Sequence, residues 1–314
     1  MQVRRLTLEL CRDALAFVVS AILLRFFPTF TNGCYNKLPF RWRKLCVNHG
    51  VFRAPDRPFS WSVALRNGKR LKLSVDVSSR FWTDYAFQYS INDPALKRLQ
   101  EALIDNRKEK TAYLDVGANV GTSCIYALAS GCDVWMFEPN SRLRPFIESL
   151  CQLNGFKPRR IEWVALSDAA GQGVLHISSS SYLSSFDKKH AVTEGDVIPI
   201  TVTVRTLDSY LPELRSAYRA LILKIDVEGH EIAVLQGARA TIECYRPAVM
   251  IEVLLSGRRG DVFEFFTSRD YRGFAVNDNV DALDLYVVDS VSVVTCAHIN
   301  FAFFPTEMDL SFAR

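Results

Sequence analysis

Acidic residues recur in this chain directly after short apolar runs, the places where an α/β sheet would hold a ligand. Asp115 sits at the end of "TAYLDV" and Glu138 closes "DVWMFE". Ser167 and Asp168 follow "RIEWVAL", Asp226 and Glu228 follow "LILKI", and Glu252 lies in "AVMIEVL". A single acidic residue at such a position is ordinarily a helix cap. Five consecutive apolar runs that all end this way point to one shared site, because open α/β sheets bind ligands at the carboxyl ends of their strands.

The turn in "YLDVGANVGTS" narrows the ligand class. Gly117 and Gly121, either side of Asn119, let the backbone approach a ligand closely. A dinucleotide turn reads G-x-G-x-x-G and lays a pyrophosphate on the amides that open the next helix. Here Asn119 takes the middle position, and Asp115 stands where it would repel a pyrophosphate. A carboxylate there suits a ligand with a positive charge and an amino-acid end. S-adenosylmethionine has both, in its sulfonium and its α-ammonium. Glu138 lies 23 residues beyond Asp115 and can accept both ribose hydroxyls, a placement that nicotinamide enzymes share. Asp168, with Ser167 beside it, is placed to meet the adenine amino group, and Asp226 to face the methyl group.

These residues need a scaffold, and the pattern from about residue 95 supplies one. Strands over "TAYLDV", "DVWMFE", "RIEWVALS", "ALILKIDV" and "AVMIEVL" alternate with helices over 120–130, 141–154, 208–218, 230–241 and 260–270. A hairpin-like pair, "GVLHIS" and "IPITVTV", interrupts the rhythm, and "ALDLYVVD" and "INFAFFP" end it. Such alternation predicts an α/β fold with a mostly parallel sheet and helices on both faces. Upstream, Trp61, Val63 and Leu65 alternate with polar residues, as do Leu71, Leu73 and Val75, around Asn67-Gly68. That is a hairpin signal, with a type I′ turn expected. Its basic tip (Arg66, Lys69, Arg70, Lys72) carries no recognition motif, so no nucleic-acid partner is expected.

Composition bounds the rest. The 314 residues are 49% hydrophobic and 23% charged, ordinary for a large globular core. Residues 1–58 hold ten Lys/Arg against three Asp/Glu, while the remainder is mildly acidic. The division expected is a basic apolar segment over 1–58, a hairpin and linking region over 59–92, and a catalytic domain over 93–314. Read as a helix, residues 4–27 leave a narrow polar stripe on an apolar cylinder. The uncharged run Ala14–Leu24 is too short to span a bilayer. Such a helix either lies in a membrane interface or packs on the catalytic domain. The eight cysteines form no C-x-x-C pair and no zinc spacing, which predicts reduced thiols and a cytoplasmic protein, with peripheral contact on the inner face of a membrane if 4–27 is interfacial.

The blocks "LDVGANVGTSCIYAL", "MFEPN", "ALSDAAG", "VRTLDSYL" and "LILKIDVEGHEIAVLQGA" resemble the FkbM family of S-adenosylmethionine-dependent methyltransferases, in order and spacing, over roughly residues 90–305. The resemblance implies the seven-stranded class I methyltransferase fold. It also implies methyl transfer to a hydroxyl of a sugar, a glycolipid or a secondary metabolite. Removing the hydroxyl proton at neutral pH needs a base. His230 in "DVEGHE" suits that role by type, with Asp226 and Glu228 as further candidates. His230 could equally serve only to open the next helix. Lys224 could neutralise an oxyanion or form a structural ion pair. Tyr182, Ser184 and Ser185, in the serine-rich loop, could bind a polyhydroxylated acceptor. Asp226 and Glu252 end neighbouring strands, yet "IEVLLSG" shows no third oxygen ligand, so no metal is assigned. The competing expectation is a catalytically silent cofactor-binding scaffold at a membrane.

Overall fold

The computed structural model of the protein describes residues 59–75, 92–178, 184–186, 197–255, 258–279, 282–289 and 292–313. The segment 1–58, with the helix expected over 4–27, and Tyr182 lie outside the described residues. The chain divides into two compact units. One holds Met1–Pro94 with Gln152–Gly155, and the other Ala95–Cys151 with Phe156–Arg314.

In the first unit, β1 (Phe59–Ala64) and β2 (Arg70–Val75) pair antiparallel as expected. The turn between them is a different type. Gly68 is left-handed at φ 80°, but Asn67 keeps a negative φ. The Gly68 amide donates to the Leu65 carbonyl at 3.0 Å, and the Leu65 amide to the Lys69 carbonyl at 2.8 Å. This is a type I turn closed by a glycine bulge, not a type I′ turn. Asn67 stays right-handed and its Oδ1 takes the Lys69 amide at 3.1 Å.

After the hairpin come, in chain order, α1 (Pro94–Asp105), β3 (Thr111–Val116), α2 (Ile125–Ala129), β4 (Asp133–Phe137), α3 (Arg144–Asn154) and β5 (Arg160–Glu162). Then come β6 (Ala165–Leu166), β7 (Gly171–Ser178), β8 (Ser184–Ser185), β9 (Val197–Arg205), α4 (Leu211–Ala217) and β10 (Ala220–Ile225). The last elements are α5 (Glu231–Gln236), α6 (Arg239–Tyr245), β11 (Ala248–Glu252), α7 (Arg259–Thr267), β12 (Tyr271–Val276), β13 (Leu285–Val287), α8 (Ser292–Thr295) and β14 (Asn300–Pro305). The large sheet runs β13-β12-β14-β11-β10-β3-β4-β5. The strands from β11 to β5 are parallel, and β14 is inserted antiparallel between β11 and β12.

Four details depart from the sequence-based expectation. "RIEWVALS" is two strands: β5 belongs to the large sheet, and β6 joins a second sheet of order β6-β9-β7-β8. The helix expected over 230–241 breaks into α5 and α6 around Gly237. "YRGFAV" forms β12, which its short alternation did not reveal. The expected strand in "ALDLYVVD" is the short outer β13, an eighth strand added to the sheet.

Strand alternation sorts the core. Ala112, Leu114 and Val116 of β3 share a face with Trp135 and Phe137 of β4 and Leu221, Leu223 and Ile225 of β10. That face packs against Leu214 of α4, Val234 and Leu235 of α5, Ile242 of α6 and Phe263 and Phe266 of α7. The opposite face carries Tyr113, whose hydroxyl meets Gln100 of α1 at 2.5 Å, together with Asp115 and Lys224. The central strands are apolar on both sides, as buried parallel strands must be. Each buried Leu, Val or Phe contributes about 1.5–3 kcal/mol.

One buried cation fastens the far end of this sheet. Arg259 opens α7 and is 3% exposed. Its guanidinium donates to the carbonyls of Val253, Leu254, Val293, Cys296 and His298 at 2.6–3.2 Å. Five carbonyl dipoles thus solvate the charge in place of water and tie the β11 exit to the approach to β14. Arg259→Met leaves those acceptors without donors, so it should cost about 3 kcal/mol or more. Arg258→Met removes only an exposed pair with Asp261 and should cost under about 1 kcal/mol. Chemical denaturation midpoints compare the two directly; equal midpoints would contradict the clamp.

Candidate active site

The turn after β3 alternates left-handed residues, Gly117 at φ 82°, Asn119 at φ 50° and Gly121 at φ 81°. At Gly117 space matters as much as angle. A Cβ there would lie 2.8 Å from the Asp226 carbonyl carbon and closer still to its oxygen. The Asp226 amide in turn donates to the Val116 carbonyl at 2.9 Å, so the exits of β3 and β10 touch backbone to backbone.

The same turn is tied to β4. The Gly117 and Ala118 amides both donate to the Phe137 carbonyl, at 2.9 and 3.1 Å. Beyond it, Glu138 is buried, and its carboxylate accepts the Asn119 amide at 2.8 Å and the Asn140 amide at 2.7 Å. Burial pushes the Glu138 pKa up to about 7, against the pull of those two amides. Asn119 Oδ1 is also buried and has no hydrogen-bond partner among the described residues.

Asp115 lies under the turn and is fully buried. One of its oxygens accepts from the hydroxyl of Ser123 and, at 2.9 Å, from the thiol of Cys124. The other faces Lys224 Nζ at 3.5 Å. Lys224 is the register partner of Asp115 across β3 and β10, and its ammonium also donates to Asp226 at 3.1 Å. Burial alone would lower the Lys224 pKa, but Asp115 and Asp226, with Glu252 adding, outweigh it and hold the pKa above its ordinary value. The lysine expected as a catalytic group is committed to an internal ion pair.

The loop after β10 turns sharply, with Glu228 left-handed at φ 52° and Gly229 at φ 97°. Non-glycine residues in that region store strain and cluster at functional sites. The Glu228 carbonyl accepts the Ser185 hydroxyl at 2.7 Å, and the Gly229 amide donates to Glu231 at 2.7 Å. Burial, aided by Asp226 and Glu231, raises the Glu228 pKa to about 7. Asp226, Glu228 and Glu252 bring carboxylate oxygens within 4.8 Å of one another. The third carboxylate is therefore Glu228, and the nearby cation is Lys224.

His230 follows. Its Nε2 lies 2.9 Å from the Ser167 hydroxyl, which also lies 2.9 Å from Asp168 Oδ1. Phe186 packs on the imidazole with ring centroids 4.6 Å apart. Burial lowers the His230 pKa, and Asp168 opposes that. The Ser167 backbone is itself fixed, its amide donating to the Arg205 carbonyl at 2.9 Å. A Cβ at Gly237 would lie 2.8 Å from the Ser167 carbonyl carbon and closer to its oxygen, which explains the glycine in "LQGA".

Between these groups lies an open cleft with about 640 Å³ of empty volume. Gly117, Asn119, Glu138, Asp226, Glu228 and His230 line it together with Val164, Leu166, Leu175, Ser184 and Phe186. Of the described residues singled out in the sequence, Asp115, Gly121, Lys224, Ser167, Asp168, Ser185 and Glu252 are not in the lining. Ser185 is buried and holds the Glu228 backbone, so the sequence-based assignment to an acceptor is corrected to a structural one. Asp168, expected at the adenine amino group, is exposed, accepts the Ser167 hydroxyl at 2.9 Å and lies outside the lining. Sequence reasoning missed Phe186, which ends a polar loop with little pattern, and Asn140. The signal for Asn140 was present: its Oδ1 accepts the Arg142 amide at 3.2 Å, the N-cap role that "EPN" before a helix suggests.

The close approaches make a graded prediction. Gly117→Ala should cost about 4 kcal/mol or more, by combining a left-handed φ with a backbone clash. Gly237→Ala, at an ordinary φ, should cost about 2–3 kcal/mol for the clash alone. Gly131 is left-handed at φ 71° with nothing within 4 Å of a Cβ, and Gly131→Ala should cost only about 1–2 kcal/mol. Unfolding midpoints in denaturant rank the three; a different order would refute the contact assignment.

A family model described as "Methyltransferase FkbM domain" matches residues 115–290. No curated protein matches this chain. Solved structures with similar folds include a methyltransferase FkbM from Methylobacillus flagellatus, at 17% identity and TM-score 0.39, over 62% of this chain and 43% of that one. Another is a SAM-dependent methyltransferase from Agrobacterium tumefaciens, at 9% identity and TM-score 0.43, over 81% and 73%. A tRNA (uracil-54, C5)-methyltransferase from Pyrococcus abyssi, solved with S-adenosyl-L-homocysteine, is similar at 14% identity and TM-score 0.35, over 82% and 52%. The chain thus spans less than two thirds of the length of the first and last of these. The matched family region takes in the glycine turn, Glu138, Ser167, Asp168 and the loop of His230, more than half of the sequence, and the chain belongs to the FkbM methyltransferase domain family.

Proposed function

We propose that this chain binds S-adenosylmethionine in the cleft and transfers its methyl group to a hydroxyl of a sugar, a glycolipid or a secondary metabolite. One observation carries the reading: the side chains at the exits of β3, β4 and β10 offer the cleft acceptors and negative charge. They are the Glu138 carboxylate, the partnerless Asn119 Oδ1, Asp226 and Glu228. Such a lining disfavours a pyrophosphate and suits a ligand with an ammonium, a sulfonium and ribose hydroxyls. When bound, the cofactor supplies an activated methyl group and a thioether leaving group.

What remains falls to the chain. Glu138, anchored by two amides, accepts the ribose hydroxyls. Asn119 Oδ1 accepts an ammonium hydrogen, which gives the orphaned oxygen its partner. Asp226 balances the cationic end. Asp115, out of the lining, serves the site by holding Lys224 and the turn. Val164, Leu166, Leu175 and Phe186 keep water from the reacting centre. His230, neutral because burial lowers its pKa, takes the acceptor's proton. Glu228, like Glu138, is a cleft carboxyl raised to about 7, and with Glu138 engaged by the ribose it is the further acid–base candidate. Ser184 lines the cleft with its Oγ accepting from Asn140 Nδ2 at 3.4 Å, and its own hydrogen contacts an acceptor from the second sheet. If residues 4–27 meet a membrane interface, the acceptor is lipid-linked. Among the described residues, no helix is long and apolar enough to cross a membrane.

Calorimetric titration with S-adenosylmethionine and S-adenosylhomocysteine tests this. Both should bind, and Glu138→Ala should weaken binding by about 10–100-fold, the loss expected when hydrogen bonds to a charged group disappear. Failure to bind in a folded sample would overturn the reading. Tight binding without transfer to any hydroxyl acceptor would favour the scaffold. The pH dependence has a definite sign. Glu138 in the free protein titrates at about 7, and the ribose hydroxyls require the ionised form. Affinity should therefore be flat above pH 7 and fall by about tenfold per unit below it, as one proton competes with the ligand. Glu138→Gln should remove that slope; any slope left would report Glu228.

A further inference from the structure

The Ser167 hydroxyl stands between two groups that make different demands on it. It is 2.9 Å from Asp168 Oδ1 and 2.9 Å from His230 Nε2. A hydroxyl has one hydrogen to give. An ionised carboxylate only accepts, so the hydrogen must point to Asp168; otherwise two oxygens would face each other at 2.9 Å with no hydrogen between them. Ser167 then presents a lone pair to the imidazole, and Nε2 must carry a hydrogen. A neutral imidazole has one N–H, so Nδ1 is left with the lone pair.

We propose that Ser167 and Asp168 are positioning residues that fix His230 as the Nε2–H tautomer and make Nδ1 the atom that receives the acceptor's proton. The proposal rests on the reading of His230 as the base, and it gives the Ser167-Asp168 pair a role other than contact with adenine. Proton and electrons balance. The acceptor's O–H bond breaks and its proton goes to Nδ1. The electron pair left on oxygen forms the new bond to the methyl carbon, and the pair of the breaking S–CH₃ bond stays on sulfur. The imidazolium then carries hydrogens on both nitrogens, with its charge directed through Ser167 to the Asp168 carboxylate.

The surroundings favour a held ring over a mobile one. Phe186 packs on the imidazole face. Ser167 is buried, is bonded through its amide to Arg205, and has the Cβ-free Gly237 against its carbonyl. The titratable groups that share the cleft with His230 are Glu138, Asp226 and Glu228, while Asp168 acts from the far side of Ser167.

The test needs neither cofactor nor acceptor, so it can fail independently of the methyltransferase reading. The full-length protein is labelled with ¹⁵N-histidine and studied by long-range ¹H–¹⁵N correlation at about pH 8, where imidazole is neutral. His230→Gln assigns the signal. The wild type should show His230 in the Nε2–H form alone, with a detectable, exchange-protected Nε2 proton. Ser167→Ala should lose that protection and relax to a mixture of tautomers. Ser167→Thr, which keeps the hydroxyl, should restore it. Asp168→Ala, at an exposed position, removes the acceptor for the Ser167 hydrogen and should also lose the single-tautomer signature. A wild-type Nδ1–H form, or a signature unchanged in both Ser167→Ala and Asp168→Ala, would overturn the proposal.

Discussion

The site is organised around one buried cation. Lys224 projects from the middle of the sheet on the face that also carries Asp115, because the two are register partners on adjacent parallel strands. An ammonium in that position is tolerable only with carboxylates beside it. Asp115 at 3.5 Å and Asp226 at 3.1 Å supply them. Asp115 in turn holds Ser123 and Cys124 at the start of the helix that follows the glycine turn. The ion pair thereby links both neighbouring strand exits to the turn. Removing either partner would leave an uncompensated charge in the core, and the fold of this region therefore depends on both.

Around that pair the strand ends are locked by backbone contacts that allow no side chain. Gly117 abuts the Asp226 carbonyl and Gly237 abuts the Ser167 carbonyl. Together with the amides that hold the Glu138 carboxylate, these contacts set the positions of the polar groups before any ligand arrives. A site built this way pays little reorganisation on binding. The strained backbone at Asn119 and Glu228 lies within the cleft lining, where such strain is usually stored. The second sheet contributes mostly apolar lining, Leu166 and Leu175 with Phe186, beside the polar groups.

Much of this was legible in the chain. Alternating strands and helices gave the α/β class, because a parallel sheet imposes its period on the sequence. The glycine turn, Glu138 and the His230 loop were legible as strand exits, and residues of all three line the cleft. The readings that failed have common physical causes. "RIEWVALS" reads as one strand because a two-residue break leaves the apolar pattern intact, yet β5 and β6 pair in different sheets. Ser185 was legible as polar, but its burial and its bond to Glu228 depend on the β7–β8 pairing. The Asn67-Gly68 pair predicted the hairpin and not its turn type, because one left-handed glycine satisfies the loop when Asn67 bonds locally.

The sequence by itself determined the class of fold, the family and the identity of most polar groups in the cleft, because these rest on local periodicity and on motifs whose spacing is set along the chain. Only the tertiary structure decided what those groups do to one another. It paired Lys224 with Asp115, made Glu228 the third carboxylate beside Asp226 and Glu252, and joined Asp168, Ser167 and His230 into one hydrogen-bonded line. The reason is physical: burial, register and hydrogen-bond direction belong to contacts between residues far apart in the chain, and no local pattern encodes them.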